Sequence, residues 1–245
     1  MTEPNVVATA PTPSLWEDFV DIFASPAAVF RRRENGSWFI PLLILTIIVV
    51  IISLAGRGVM QPLFDAEFER TADALRKNPQ VTEDAIARAK SVSEFFRLWG
   101  PLVITPVAVI ILGIVTWLVA KLVDARQTLT AALVVASYSL VPRVVQGIVN
   151  LVQAAIMSPD KLTSLVKISF SPARFVNPDT ASPLLIQLLN RFDLFTIWVT
   201  VLLAIGVYVT GRVTKQRAAI AGVLFWIVGA IPAILGAISQ QGARG

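Results

Sequence analysis

Residues 39–55 read FIPLLILTIIVVIISLA, seventeen positions without a charged side chain, with Arg31, Arg32 and Arg33 just upstream. As a helix such a run rises about 1.5 Å per residue and comes close to the thickness of a bilayer core, about 30 Å. It has no alternation of apolar and polar residues, which excludes a barrel strand. Four more apolar runs follow, giving expected spans at 38–55, 101–123, 128–157, 194–210 and 218–238. The whole chain agrees. Of its 245 residues 55 % are hydrophobic and 15 % charged, against about 25 % charged in a soluble domain. Mean hydropathy is +0.71. The expected fold is all-α, a polytopic membrane protein of five transmembrane helices.

Cysteine and histidine are both absent. That removes disulfides, thiolate metal sites, a cysteine nucleophile and the commonest general base. HExxH, GxSxG and Walker-type glycine loops are also missing, and no span has an acid at its centre. Neither catalytic residues nor a metal or cofactor site are expected. The net charge of +5 fits positive-inside loops better than nucleic-acid binding. Arg31–Arg33, Lys121 with Arg126, and Arg212 with Lys215 and Arg217 all fall on one side when the amino terminus is cytoplasmic. The opposite side then receives two longer loops and the carboxyl terminus. Residues 1–30 contain Glu3, Glu17, Asp18 and Asp21 and no apolar signal core, so the first span reads as a retained anchor.

The chain divides into a cytoplasmic segment, 1–37, and a membrane domain, 38–245. The segment starts with a Pro/Thr-rich stretch expected to be disordered. Ser14 followed by Glu17 is a capping-box pattern, and Leu15, Trp16, Phe19, Ile22 and Phe23 form one apolar helix face. Ser25-Pro26 reads as a second cap with proline in the first turn. This helix either lies on the leaflet, with Arg31, Arg32 and Arg33 on anionic headgroups, or packs on the bundle while the arginines set topology. The loop at 56–100 reads as an outer helical hairpin, broken at Asn78-Pro79 and restarted at Thr82. It serves as a cap over the bundle or as a docking surface. Ser182-Pro183 opens a short interfacial helix before span four.

Span three carries a polar stripe. Ser139, Arg143, Gln146, Asn150 and Gln153 are spaced +4, +3, +4, +3, one face of a helix. Arg143 lies 14 residues after Leu129 and therefore about 21 Å into the span. A charge there must face the bundle interior or a wet cavity. Pro142 is expected to free the Tyr138 carbonyl. The stripe either lines a ligand or ion pathway or fixes packing by hydrogen bonds. Asp193, at the outer start of span four, is a partner for Arg143 or a helix cap. Gly222, Gly229 and Gly236 recur every seven residues in span five and read as a packing face, for the bundle or for a second copy, with Pro232 bending the helix.

Four segments resemble the Yip1 family of multi-span membrane proteins: SPAAVF before span one, YSLVP at 138–142, FDLFTIW at 192–198, and the span ending in IGVYVTGRVTKQRAA. The resemblance implies five transmembrane helices and a cytoplasmic amino terminus. Eukaryotic members act in Golgi and ER vesicle traffic and associate with prenylated Rab GTPases and with one another. The short amino-terminal part and long outer loop of this chain look more like the bacterial branch, so Rab binding is not carried over. The expectation is a non-enzymatic protein of the inner cell membrane that organises membrane or partner proteins, or of the Golgi or ER were the source eukaryotic. Its partners would be the bilayer, anionic headgroups and further membrane proteins in a homo- or hetero-oligomer. The rival reading is a solute, ion or lipid transporter using the span-three stripe. Cysteines placed at Ala74 and Ser164 should react with an impermeant thiol reagent from outside the cell, and one at Thr214 should not; the reverse pattern would discard the topology.

Overall fold

The computed structural model describes residues 14–158 and 161–242. The Pro/Thr-rich start lies outside them. The described chain is helical throughout: α1 (Leu15–Ala24), α2 (Pro26–Arg33), α3 (Phe39–Ala55), α4 (Arg57–Arg76), α5 (Glu83–Trp99), α6 (Pro101–Leu122), α7 (Leu129–Ser139), α8 (Val141–Ile156), α9 (Pro183–Asn190), α10 (Leu194–Thr210), α11 (Lys215–Val228) and α12 (Ile231–Gly242), with 3-10 turns at Leu165–Ile168 and Pro172–Phe175. Three stretches are long and apolar enough to cross a membrane: α6, α7 with α8, and α11 with α12 as far as Ile238. The 17-residue α3 and α10 complete five when each is joined to its bent neighbour, α4 at 80° and α9 at 51°.

Helix α7 is the centre of the bundle. Every residue from Ala131 to Ser139 is buried. The sequence permits this because α7 is small and apolar at nearly every position, so neighbours close in on all sides. Two glycines let them. A Cβ at Gly113 of α6 would overlap Leu133, and one at Gly206 of α10 would overlap Val135. A third close approach, Gly56 against Leu151 of α8, lies where α3 turns into α4.

The amino-terminal segment belongs to this core rather than to a separate piece. Phe19, Ile22, Val29 and Phe30 pack with Val134, Tyr138, Leu202 and Val207. The Ser14–Glu17 capping box is present. Ser25 differs from the expectation: at φ −142° and ψ 55° its backbone is not extended, and its side chain caps nothing. Its carbonyl accepts the Ala28 and Val29 amides at 3.0 and 3.3 Å. Helices α1 and α2 form a hairpin held at its base by Asp18, which is fully buried. Arg32 Nε and Arg33 Nε each reach it at 2.5 Å, and the Tyr138 hydroxyl donates to it at 3.3 Å. The hairpin turn, Ala24–Ala28, shares a groove with Thr200, Val201 and Ala204. Thr200 is ten residues from the Thr210 end of α10, about 15 Å along its axis. The hairpin therefore reaches roughly halfway along the bundle.

On the other side, α4 and α5 are joined through Gln61, Asp65, Lys90 and Arg97; Lys90 Nζ lies 3.0 Å from Asp65 and the Arg97 guanidinium 4.6 Å from the Phe64 ring centre. Glu67 accepts from the Ser164 hydroxyl and the Leu165 amide, and Arg70 meets Asp179 at 2.7 Å. The hairpin is thereby tied over the 158–182 connection as a cap. Within α5 only Ile86 is buried, while Val92, Phe95, Phe96 and Trp99 are exposed. Ser164 is buried, so exposed Lys161 is the better labelling position.

Gly206→Leu is expected to lower thermal stability in detergent by about 1–3 kcal/mol, because stiff, β-branched Val135 cannot yield. Gly236→Ala should leave melting unchanged, since a Cβ there meets nothing within 4 Å. Equal melting of both variants would remove α7 from its central role.

Candidate functional site

Span three is one 28-residue stretch interrupted at a single residue, Leu140, between α7 and α8. Pro142 falls in the first turn of α8, where no amide donor is required. The Arg143 amide bonds the Leu140 carbonyl at 2.9 Å, starting the new helix. This break aims the Arg143 side chain at the amino-terminal end of α10.

Asp193 is the N-cap of α10 and is nearly fully buried. Its Oδ1 accepts the Phe195 and Thr196 amides at 3.0 and 3.1 Å and Gln146 Nε2 at 3.3 Å. Its Oδ2 accepts the Phe170 amide at 3.1 Å. Arg143 Nη1 lies 3.6 Å from Oδ1. The same guanidinium donates to Gln146 Oε1 at 2.5 Å and to Thr196 Oγ1 at 2.9 Å. Asp193 is thus both the helix cap and the counterion of Arg143. Lower on the stripe, Gln153 donates to the Ile168 carbonyl at 2.9 Å and accepts from Arg174 at 3.2 Å.

The remaining two stripe residues go elsewhere. Ser139 is fully buried in α7, and its hydroxyl has no partner among the described residues. Asn150 faces a cavity of about 170 Å³ with Ser53, Gly147 and Arg97, and its Oδ1 is likewise unpartnered. The five residues therefore serve four different surroundings and do not line one continuous path.

A cavity of about 440 Å³ adjoins Arg143, between α6, the α7–α8 break, α10 and the α11–α12 segment. Arg191 enters it too, a residue the sequence reading passed over. Arg191 Nη2 donates to the Trp226 carbonyl at 2.5 Å, and Trp226 Nε1 donates back to the Arg191 carbonyl at 3.0 Å. Its guanidinium stands 5.5 Å from the Trp226 ring centre. The available signal was position: Arg191 stands two residues before the Asp193 cap and Thr196 three after it.

The glycines of span five do not act alike. A Cβ at Gly222 would sit 3.3 Å from Ala204 of α10, a helix contact. Gly229 ends α11 and makes room for the Arg191 guanidinium, 3.0 Å from where a Cβ would stand. Gly236 faces open space. The break between α11 and α12 falls at Gly229–Ala230, just upstream of Pro232. Arg32 and Arg33 are engaged by Asp18, with Asp21 also on Arg32, leaving Arg31 exposed beside the hairpin groove. No group of three or more metal-ligating side chains occurs among the described residues.

The segments at 138–142 and 192–198 that carry the family resemblance build the junction between α7, α8 and α10. The Yip1 domain model matches residues 20–236, nearly the whole bundle including the inserted hairpin. The chain belongs to the Yip1 family. It is similar to the membrane protein YknW of Bacillus subtilis (strain 168), at 24 % identity over 231 residues, covering 91 % of each chain. No solved structure matches it.

Asp193→Ala should destabilise far more than loss of an ordinary cap. It strands amide, amide-side-chain and guanidinium donors at about 1–3 kcal/mol for each left buried. Ser182→Ala, at the exposed cap of α9, should cost about 1 kcal/mol. Thermal melts in detergent distinguish the two; similar losses would mean that Asp193 acts as a cap alone.

Proposed function

We propose that this Yip1-family protein is a non-enzymatic organiser of the inner cell membrane, with its amino terminus and both short basic links in the cytoplasm and its carboxyl terminus outside. Its ligands are lipids and other membrane proteins rather than solutes in transit. One observation carries this reading: three of the five side chains that best fitted a pathway are spent on internal bonds. Arg143 and Gln146 close on Asp193 and Thr196, and Gln153 holds the Ile168 carbonyl and Arg174. Such bonds fasten the 165–175 turns to the bundle. The cavity that reaches Arg143 is walled mainly by aliphatic side chains and Phe225, which suits an acyl chain and not a hydrated ion.

Reconstituted into liposomes, the protein should give no flux of potassium, chloride or a small dye above that of empty vesicles. Arg143→Met should melt lower by about 1–3 kcal/mol, since it leaves Gln146 and Asp193 short of a donor. Flux that disappears in Arg143→Met while melting stays unchanged would replace the organiser with a transporter.

A further inference from the structure

Three charged side chains meet near the start of α10, and they do not balance. Asp193 is already matched by Arg143, at 3.6 Å. Arg191 has no carboxylate within ion-pair distance among the described residues; its partners are the Trp226 carbonyl and ring. Its Nε is buried and makes no hydrogen bond. A partly buried guanidinium at a mostly apolar wall favours a nearby anion. The space in front of both arginines is the cavity of about 440 Å³. Beyond Arg143, Arg191, Thr196 and Thr200 it is apolar, running past Val199 to Leu203 on α10. From Thr196 to Leu203 is seven residues, about 10 Å. Its rim on α6 includes Ile111, which is exposed on the lipid side of the bundle.

From this arrangement we infer that the cavity binds an anionic membrane lipid, its phosphate on Arg191 and Arg143 and part of an acyl chain along α10 toward Leu203. The two ends of the cavity set the chemistry. A zwitterionic lipid would bring a cation of its own beside the two arginines and leave the excess positive charge uncancelled. A free inorganic anion would leave the apolar length unfilled. The exposed rim at Ile111 gives a lipid entry from the bilayer rather than from water. Gly229 contributes by what it lacks, since a Cβ there would stand 3.0 Å from Arg191 Nη2 and crowd the headgroup end. The inference rests on Arg143 being a fixed brace, as proposed above, because a mobile Arg143 would not hold a headgroup.

Native mass spectrometry of the full-length protein in detergent tests it, with phosphatidylglycerol and phosphatidylcholine of identical chains as probes. The wild type should retain the anionic lipid at least tenfold more tightly. Arg191→Gln, which keeps a donor for the Trp226 carbonyl, should bring the two lipids to parity. Val228→Trp, which fills the cavity, should reduce binding of the anionic lipid, and millimolar inorganic phosphate should not displace it. Equal retention by the wild type, an unchanged preference in both variants, or displacement by inorganic phosphate would overturn the proposal. Should either variant fail to fold, the wild type still decides with a phosphatidylglycerol carrying a photoreactive acyl chain. Adducts are expected on the cavity segments of α6, α10 and α11, and adducts confined to other surfaces would refute the site. Liposome flux reports separately on the brace: flux with intact lipid selectivity sinks only the organiser reading, and lost selectivity without flux sinks only the lipid site.

Discussion

The carboxylate of Asp193 stands where three parts of the chain must meet in a medium that offers no water to spare. Helix α10 needs an acceptor for its first amides, α8 brings a cation, and the 165–175 turns bring the Phe170 amide. In lipid an unanswered backbone donor costs several kcal/mol, so irregular chain at membrane depth persists only when protein groups satisfy it. One short acidic side chain answers all of these demands because its two oxygens offer about four acceptor positions. Asparagine would keep the cap yet give up the charge that offsets Arg143. The bend between α9 and α10 and the start of α8 are placed by the same group.

A second buried carboxylate, Asp18, organises the opposite half. It receives two arginines and a tyrosine, and Asp21 adds another negative charge, so the cluster with Arg32 and Arg33 is neutral. The cluster at Asp193 has two cations nearby and one anion. Both clusters are polar islands within an apolar bundle, and the difference in their balance matters. The neutral one is closed on itself and holds the hairpin in the core. The positive one has a largely apolar cavity in front of it, which the Asp18 cluster, closed on its own charges, does not.

Five apolar helical segments were legible because each exceeds what a soluble core requires, and the caps at Ser14, Thr82, Ser182 and Asp193 were legible because a short polar residue precedes a helical pattern. Arg143 was identifiable as a residue in need of polar partners, because a charge at that depth has few tolerable surroundings, although its side chain is only partly covered. Other features were hidden for physical reasons. The hairpin's depth depends on Asp18, which in sequence is one of several acids in a charged helix. The arginine run was read as a unit, although Arg32 and Arg33 face inward while Arg31 is exposed. The stripe was read as a continuous face, but the break at Leu140 and the different neighbours of α8 send its members apart. The glycines most closely approached by a side chain of another helix, Gly56, Gly113 and Gly206, have no regular spacing, because close approach is set by the partner side chain and not by repetition.

Membrane bundles cannot rely on water to drive helices together, since lipid tails are as apolar as leucine. Here two other forces do that work. Small residues on α6 and α10 let α7 come within full packing contact, and the two carboxylate clusters fasten the amino-terminal hairpin and the 165–175 turns. The division explains why the polar residues of span three need not form a pathway. Arg143, Gln146 and Gln153 lie where a helix start or a loop must be fastened, and a group held by its own fold is poorly placed to pass a solute along. What remains open to a ligand is the charge left over after the fastening is complete, and that charge is the Arg191 guanidinium.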